Sequence, residues 1–268
     1  MTSLHIVRTP QAKVDESKVT CCPKNTGFQA GWLKNPDGFS QGLLWELVLC
    51  GLGCMASEGC QLCLHVVDMI WRKKNGLPIP RVKALPENLD VPLHWTGRKN
   101  VFVCPKGDLF HKNISEEFIR KVFWVMAQCP HLNFVLTTKR AKRLEVIADL
   151  YAPNIYVGVS VESQEYLWRA DYLAALPTKF KKVFFAAPLL TDYEVDRAVM
   201  KRMSWVICSP ERGGPGRTPR PCPEEWQTHL IAQAKRYSIP FYLDVKYNAA
   251  RILRMGGKFM EMAAGLLD

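Results

Sequence analysis

The chain has 268 residues, nearly half of them apolar, which suffices for one α/β barrel or two small domains with a substantial core. No stretch approaches the ~20 uninterrupted apolar residues of a membrane span, so an integral membrane role is excluded at this level. Lys and Arg exceed Asp and Glu by 36 to 25, and a formal charge of +11 favours polyanions such as DNA or RNA without conferring any specificity.

Residues 1–40 are polar, rich in Pro, Lys, Asn and Gly, and weakly periodic, so they read as an irregular arm preceding a body of residues 41–268. Met1 to Lys18 lacks an apolar signal core, which predicts a cytoplasmic protein. The ten cysteines then serve metals or lie buried rather than forming disulfides. Leu43 to Leu49 is an apolar, strand-like run, and a helical pattern begins just beyond Cys63. Val101–Cys104 is a short strand, followed by a helix with Ser115 as N-cap and acidic residues in its first turn. The alternation continues through strands at Asn133–Thr138, Ile155–Val161, Lys182–Pro188, Trp205–Cys208 and Pro240–Asp244. Helices are expected over Ala141–Tyr151, up to about Leu176, over Tyr193–Arg202 and from Pro223 to Tyr237. Seven strands separated by helices imply a parallel sheet, open or closed into a full or partial (β/α) barrel. No Gly-x-Gly-x-x-Gly follows a strand, which argues against a dinucleotide fold.

Cys54-x5-Cys60-x2-Cys63 lies between the first strand and its helix. Three thiolates suit a four-iron cluster with one iron left open, whereas a structural zinc wants four ligands. Buried free thiols are the alternative. Cys21 and Cys22 are adjacent, a poor arrangement for chelating one metal, and stay outside the motif. In parallel α/β folds chemistry belongs at the carboxyl ends of the strands. The polar residues there include Lys106, Asp108, Lys139, Arg140, Ser160, Glu162, Glu211, Arg212, Arg217 and Asp244. The glycine-rich loop from Ser209 to Arg220 carries Arg212, Arg217 and Arg220, which suit phosphate or carboxylate, or else stand as solvated arginines on a turn. Lys139 and Arg140 present the same choice. His65 and His111, and Trp168 and Trp226, read as structural.

Six segments, in order, resemble the phage-encoded radical-SAM-like proteins known mainly as mycobacteriophage products thirty-seven and sixty-eight. They are Gly53-Cys54 through Cys63, Arg81 to Leu93, Asp108-Leu109-Phe110-His111, Leu136 to Arg140, Gly158 to Glu162, and Trp205-Val206-Ile207 leading to Glu211 and Gly214 to Arg217. The resemblance covers roughly residues 42 to 245 and implies a radical-SAM (β/α) barrel, full or partial. Cys54, Cys60 and Cys63 would hold a [4Fe-4S] cluster, with S-adenosylmethionine on its open iron. Asp108 would stand near the methionine amino group, and Ser160 and Glu162 near its ribose or carboxylate. Lys139 and Glu211 would join the cofactor site, and Lys106, Arg140, Arg212, Arg217 and Asp244 would face substrate or phosphate. An external donor such as a flavodoxin would supply electrons in the host cytoplasm. The chain departs from the pattern at Leu64, where Tyr is common, and at Pro105-Lys106-Gly107, Ala187 and Asp244-Val245-Lys246. These departures leave room for a different substrate.

The implied activity is generation of a 5′-deoxyadenosyl radical that modifies or isomerises a base in phage DNA, a hypermodified thymine being the specific guess. Two alternatives stand beside it. One is the same chemistry on RNA, a peptide or a small metabolite; the other is a non-enzymatic zinc or nucleic-acid-binding module with His65 as fourth ligand.

Overall fold

The computed structural model describes residues 42–51, 54–212 and 218–244. Its strands in chain order are β1 (Leu43–Trp45), β2 (Val48–Leu49), β3 (Lys83–Ala84), β4 (Lys99–Val103) and β5 (Leu132–Thr138). They continue with β6 (Ile155–Ser160), β7 (Lys181–Ala186), β8 (Trp205–Cys208) and β9 (Phe241–Leu243). Seven of these form one sheet in the order β1-β4-β5-β6-β7-β8-β9, and every neighbouring pair is parallel. The strands from β4 onward that follow β1 in this sheet therefore add side by side in chain order, up to β9 at the far edge. The sheet curls into a half-barrel clothed by helices, the α/β architecture expected from the strand–helix alternation.

The helices are α1 (Leu64–Lys74), α2 (Glu116–Gln128), α3 (Trp168–Ala175), α4 (Arg197–Met200) and α5 (Glu224–Arg236). At α2 the N-cap works as the sequence implies: the Ser115 hydroxyl accepts from the Phe118 amide at 3.2 Å. Ile119, Val122, Phe123 and Met126 form its buried stripe, and they share the main core with Phe134, Leu136, Val157 and Phe184 from the strands.

Side chains alternate along each strand, so the sheet separates two apolar populations. One packs under the helices, while Val135, Tyr156, Val183, Phe185, Trp205 and Ile207 form a smaller cluster of their own. Gly158 belongs to the face of this smaller cluster. A Cβ there would lie 2.5 Å from the Phe185 ring, so only glycine lets that ring lie across β6.

Three expectations need correction. The single strand over Leu43–Leu49 is two: the chain leaves the main sheet at Glu46, and Val48–Leu49 pairs antiparallel with Lys83–Ala84. Ala141–Tyr151 is a 3₁₀ helix ending at Ile147. Of Tyr193–Arg202 only Arg197–Met200 is α-helical, because Asp196 caps the Ala198 and Val199 amides. Before that cap the backbone is tied elsewhere, with the Val195 amide donating to Gln233 Oε1 at 2.9 Å. The arm over 1–40, Cys21, Cys22 and Arg217 lie outside the described residues.

Candidate functional site

A cavity of about 1180 Å³ opens at the carboxyl ends of the strands. Phe102, Thr137, Ser160, Phe185, Ile207 and Asp244 line it from successive strands or the positions just after them. Cys50, Cys60 and Cys63 border it from the loop between β2 and α1. Cys60 is buried, Cys54 half-buried and Cys63 exposed. Their thiols feel one another. Loss of water around the Cys63 thiol raises its pKa, and negative charge on Cys60 and Cys54 adds to the rise. Cys54 is shifted down, first by a hydrogen bond from the Cys50 thiol and then by the Arg140 guanidinium, against the opposing effect of burial.

Three polar clamps fix this loop. In the first, Glu162 is wholly buried between two cations. Lys139 Nζ reaches its Oε1 at 2.9 Å, and Arg169 Nη1 its Oε2 at 2.8 Å. The Ser57 hydroxyl donates to the same Oε1, joining the cysteine loop to the end of β6. Gly59 makes that approach possible, since a Cβ would stand 2.9 Å from Lys139 Nζ and 3.0 Å from Glu162 Oε1.

The second clamp is Arg140. It bonds the Asp108 carboxylate at 2.8 Å and the carbonyl oxygen of Cys54 at 2.9 Å. Asp108 also accepts from Thr138 Oγ1 and from the Phe110 and Lys139 amides. The third is Arg220, which holds both oxygens of Glu211 and donates to the Glu58 carbonyl at 3.1 Å. Glu211 is acidified by this bonding to Arg220, which outweighs the upward effect of its burial.

The residues expected to meet ligands thus divide. Lys106, Lys139, Ser160, Glu211, Arg212 and Asp244 line the cavity with Cys60 and Cys63. Asp108, Arg140 and Glu162 do not: their charges are spent on one another and on neighbouring protein groups. These pairs tie the strand ends to the cysteine loop. Arg212 and Asp244 form an ion pair. Arg220 pairs with Glu211 and Glu58. His111 is structural as expected, its Nδ1 accepting from the Asn113 amide at 3.1 Å.

Residues 49–259 match the family model described as "Protein of unknown function (DUF5131)". The chain belongs to this family. No curated protein matches it. Among solved structures it is similar to "Spore photoproduct lyase complexed with dinucleoside spore photoproduct", at 12% identity and a TM-score of 0.43. That match covers 64% of this chain and 70% of the other, and the likeness is one of general shape.

Two functional candidates in this DUF5131 chain escaped the sequence reading. Cys50, four residues before the motif, is buried and places its thiol beside Cys54. Glu46 sits where β1 gives way to β2, and its signal was a lone acid inside an apolar run. Cys104 adopts a left-handed backbone at φ 52°, uncommon for a residue with a Cβ. Two residues beyond it, the Lys106 amide bonds Glu46 Oε2 at 3.0 Å.

Among the described residues no three His, Cys, Asp or Glu side chains gather closely enough to hold a single metal ion. A cubane differs because each thiolate binds a separate iron, so its ligands need not converge on one point. Cys60 and Cys63 border the cavity while Cys54 does not line it, and three thiols suit such a cluster in donor chemistry. No helix among the described residues is long and apolar enough to cross a membrane.

Proposed function

We propose that this protein is a radical S-adenosylmethionine enzyme whose cavity holds a [4Fe-4S] cluster on Cys54, Cys60 and Cys63. One observation carries the reading: a three-cysteine loop, locked by three polar clamps, borders a large cavity at the carboxyl end of a parallel half-barrel. The phage-protein resemblance of the same motif supports it. When bound, the cluster and cofactor supply one-electron chemistry able to remove hydrogen from an unactivated carbon.

This chain's own residues position and enclose. Glu162 and Arg169, almost wholly buried, fix Ser57 and with it the approach to Cys60. Arg140 sets the backbone at Cys54, and Arg220 sets it at Glu58. Phe102, Phe185 and Ile207 give the cavity an apolar floor, which limits water near a reactive species. Lys106, Lys139, Ser160 and Glu211 stand at the wall as candidates for holding the cofactor's polar ends.

The substrate reading is a nucleobase in DNA, such as a modified thymine that the enzyme alters or isomerises. The charge of +11 supports it, as does Arg72 at the cavity with Lys73 and Lys74 beside it in the last turn of α1. A base in a duplex must be extruded to enter, at a cost of about a few kcal/mol that phosphate contacts help offset. A flavodoxin-type donor in the host cytoplasm would supply electrons. The test is anaerobic incubation of the iron-loaded protein with S-adenosylmethionine and dithionite. Release of 5′-deoxyadenosine is expected; an intact cluster that never yields it refutes the reaction class. DNA binding that weakens steeply with salt is expected, and no binding at low salt would turn the substrate assignment toward a small metabolite or peptide.

A further inference from the structure

The described residues include five buried acids: Glu46, Asp108, Glu162, Glu211 and Asp244. Four carry a cation. Asp108 has Arg140, Glu162 has Lys139 and Arg169, Glu211 has Arg220, and Asp244 has Arg212. Glu46 has no ion pair with any of the described residues, although it is 8% exposed and lines the cavity. Its Oε2 takes the Lys106 amide, while its Oε1 is buried without a hydrogen-bond partner.

A carboxyl oxygen withdrawn from water and left unpaired costs folding free energy unless something binds there. The Val48 amide lies near enough to draw the Glu46 pKa down, yet it does not make a hydrogen bond to Oε1. Lys106 acts on Glu46 as a nearby charge without contacting it, and the Cys54 and Cys104 thiols bring only potential negative charge. Glu87, the other carboxylate bordering the cavity near this end, is of the same sign. The complement of this corner is a positively charged nitrogen donor small enough to reach the cavity wall.

We propose that Glu46 is the seat for a protonated amine carried by the substrate. The assignment rests on the radical-enzyme reading, in which this carboxyl would serve the second ligand and not the cofactor. It narrows the substrate to molecules with a basic nitrogen. Burial lifts the Glu46 carboxyl to about 8, so near neutrality the empty site holds a proton that an arriving ammonium displaces. Amine binding therefore releases a proton below that pH, and affinity rises as pH climbs toward it.

The experiment uses the full chain, n-butylammonium as probe and n-butanol as its neutral counterpart, with binding followed by ligand-observed NMR. Wild type is expected to prefer the ammonium by about ten-fold or more, the scale of one charge-assisted hydrogen bond. In Glu46→Gln the backbone amide of Lys106 retains the acceptor oxygen, so the amide nitrogen faces the cavity and the preference disappears. Equal binding of the two probes by wild type, or an undiminished preference in E46Q, overturns the assignment. Should E46Q fail to fold, wild type alone decides: ammonium affinity must rise between pH 6 and 8 while that of butanol stays flat. Titration with S-adenosylmethionine separates the two amine sources, since a loss of cofactor affinity in E46Q moves the seat to the cofactor and refutes the substrate claim. The probe assay needs no cluster, so amine binding and iron loading fail independently.

Discussion

Replacing Glu162 by Gln keeps the shape of the central clamp and removes its charge. Glu162 is fully buried, Arg169 is 1% exposed and the Lys139 side chain 16%, so water cannot compensate the stranded cations. Breaking a buried pair by neutralising one partner costs about 3–5 kcal/mol, far above the worth of an exposed pair. For a chain of this size that lowers the melting temperature by roughly 6–20 °C. The same substitution loosens Ser57 and the cysteine loop, so iron retention falls with stability. Urea unfolding of the cluster-free protein, beside a Glu117→Gln control whose partner Lys121 is exposed, measures the first effect. A loss below about 1 kcal/mol in E162Q would place the pair in the class of surface ion pairs and refute the clamp. Undiminished iron content would refute its link to the cysteines.

Gly59→Ala puts a methyl group against Lys139 and the immovable Glu162 carboxylate, at an expected cost of about 1–3 kcal/mol, and lowers iron per chain; normal loading would contradict the close approach. The Glu46 carboxyl, raised from 4.5 to about 8, keeps its proton in the folded state after the unfolded chain has lost it. Stability therefore falls as pH rises from about 4.5 to about 8, by on the order of a few kcal/mol, and E46Q removes that slope in denaturant titrations. Cys50→Ala removes the neighbouring thiol that holds the Cys54 pKa down, so that pKa rises and alkylation of Cys54 near pH 7 slows in the cluster-free protein. An unchanged pH profile, read residue by residue by mass spectrometry, would dissociate the two thiols.

Local chemistry made the strands, the Ser115 cap and the helix behind Pro223 legible, because period and capping are written within a few residues. The parallel sheet followed from alternation, while its strand order stayed open between a doubly wound layer and a barrel. Site roles were less legible for a physical reason. A polar residue after a strand looks the same whether it faces a ligand or a buried partner, and the partners here are remote. Ser57 and Glu162 are 105 residues apart, and Arg220 and Glu58 are 162. Hence the ion-pair partners of Asp108, Glu162 and Arg220 could not be read from the sequence. Glu46 was legible in principle, being an acid in the run Leu43 to Leu49 that otherwise reads as buried strand. Its orphaned oxygen emerges only when the Cys104 turn brings in Lys106.

The most direct test of the central claim is iron and acid-labile sulfide analysis after anaerobic reconstitution, on wild type and on a variant with Cys54, Cys60 and Cys63 all changed to Ala. The account predicts about four irons and four sulfides per wild-type chain, a broad visible absorption, and neither in the triple variant. A colourless wild-type protein holding one zinc, or a cluster that survives loss of all three cysteines, would contradict it.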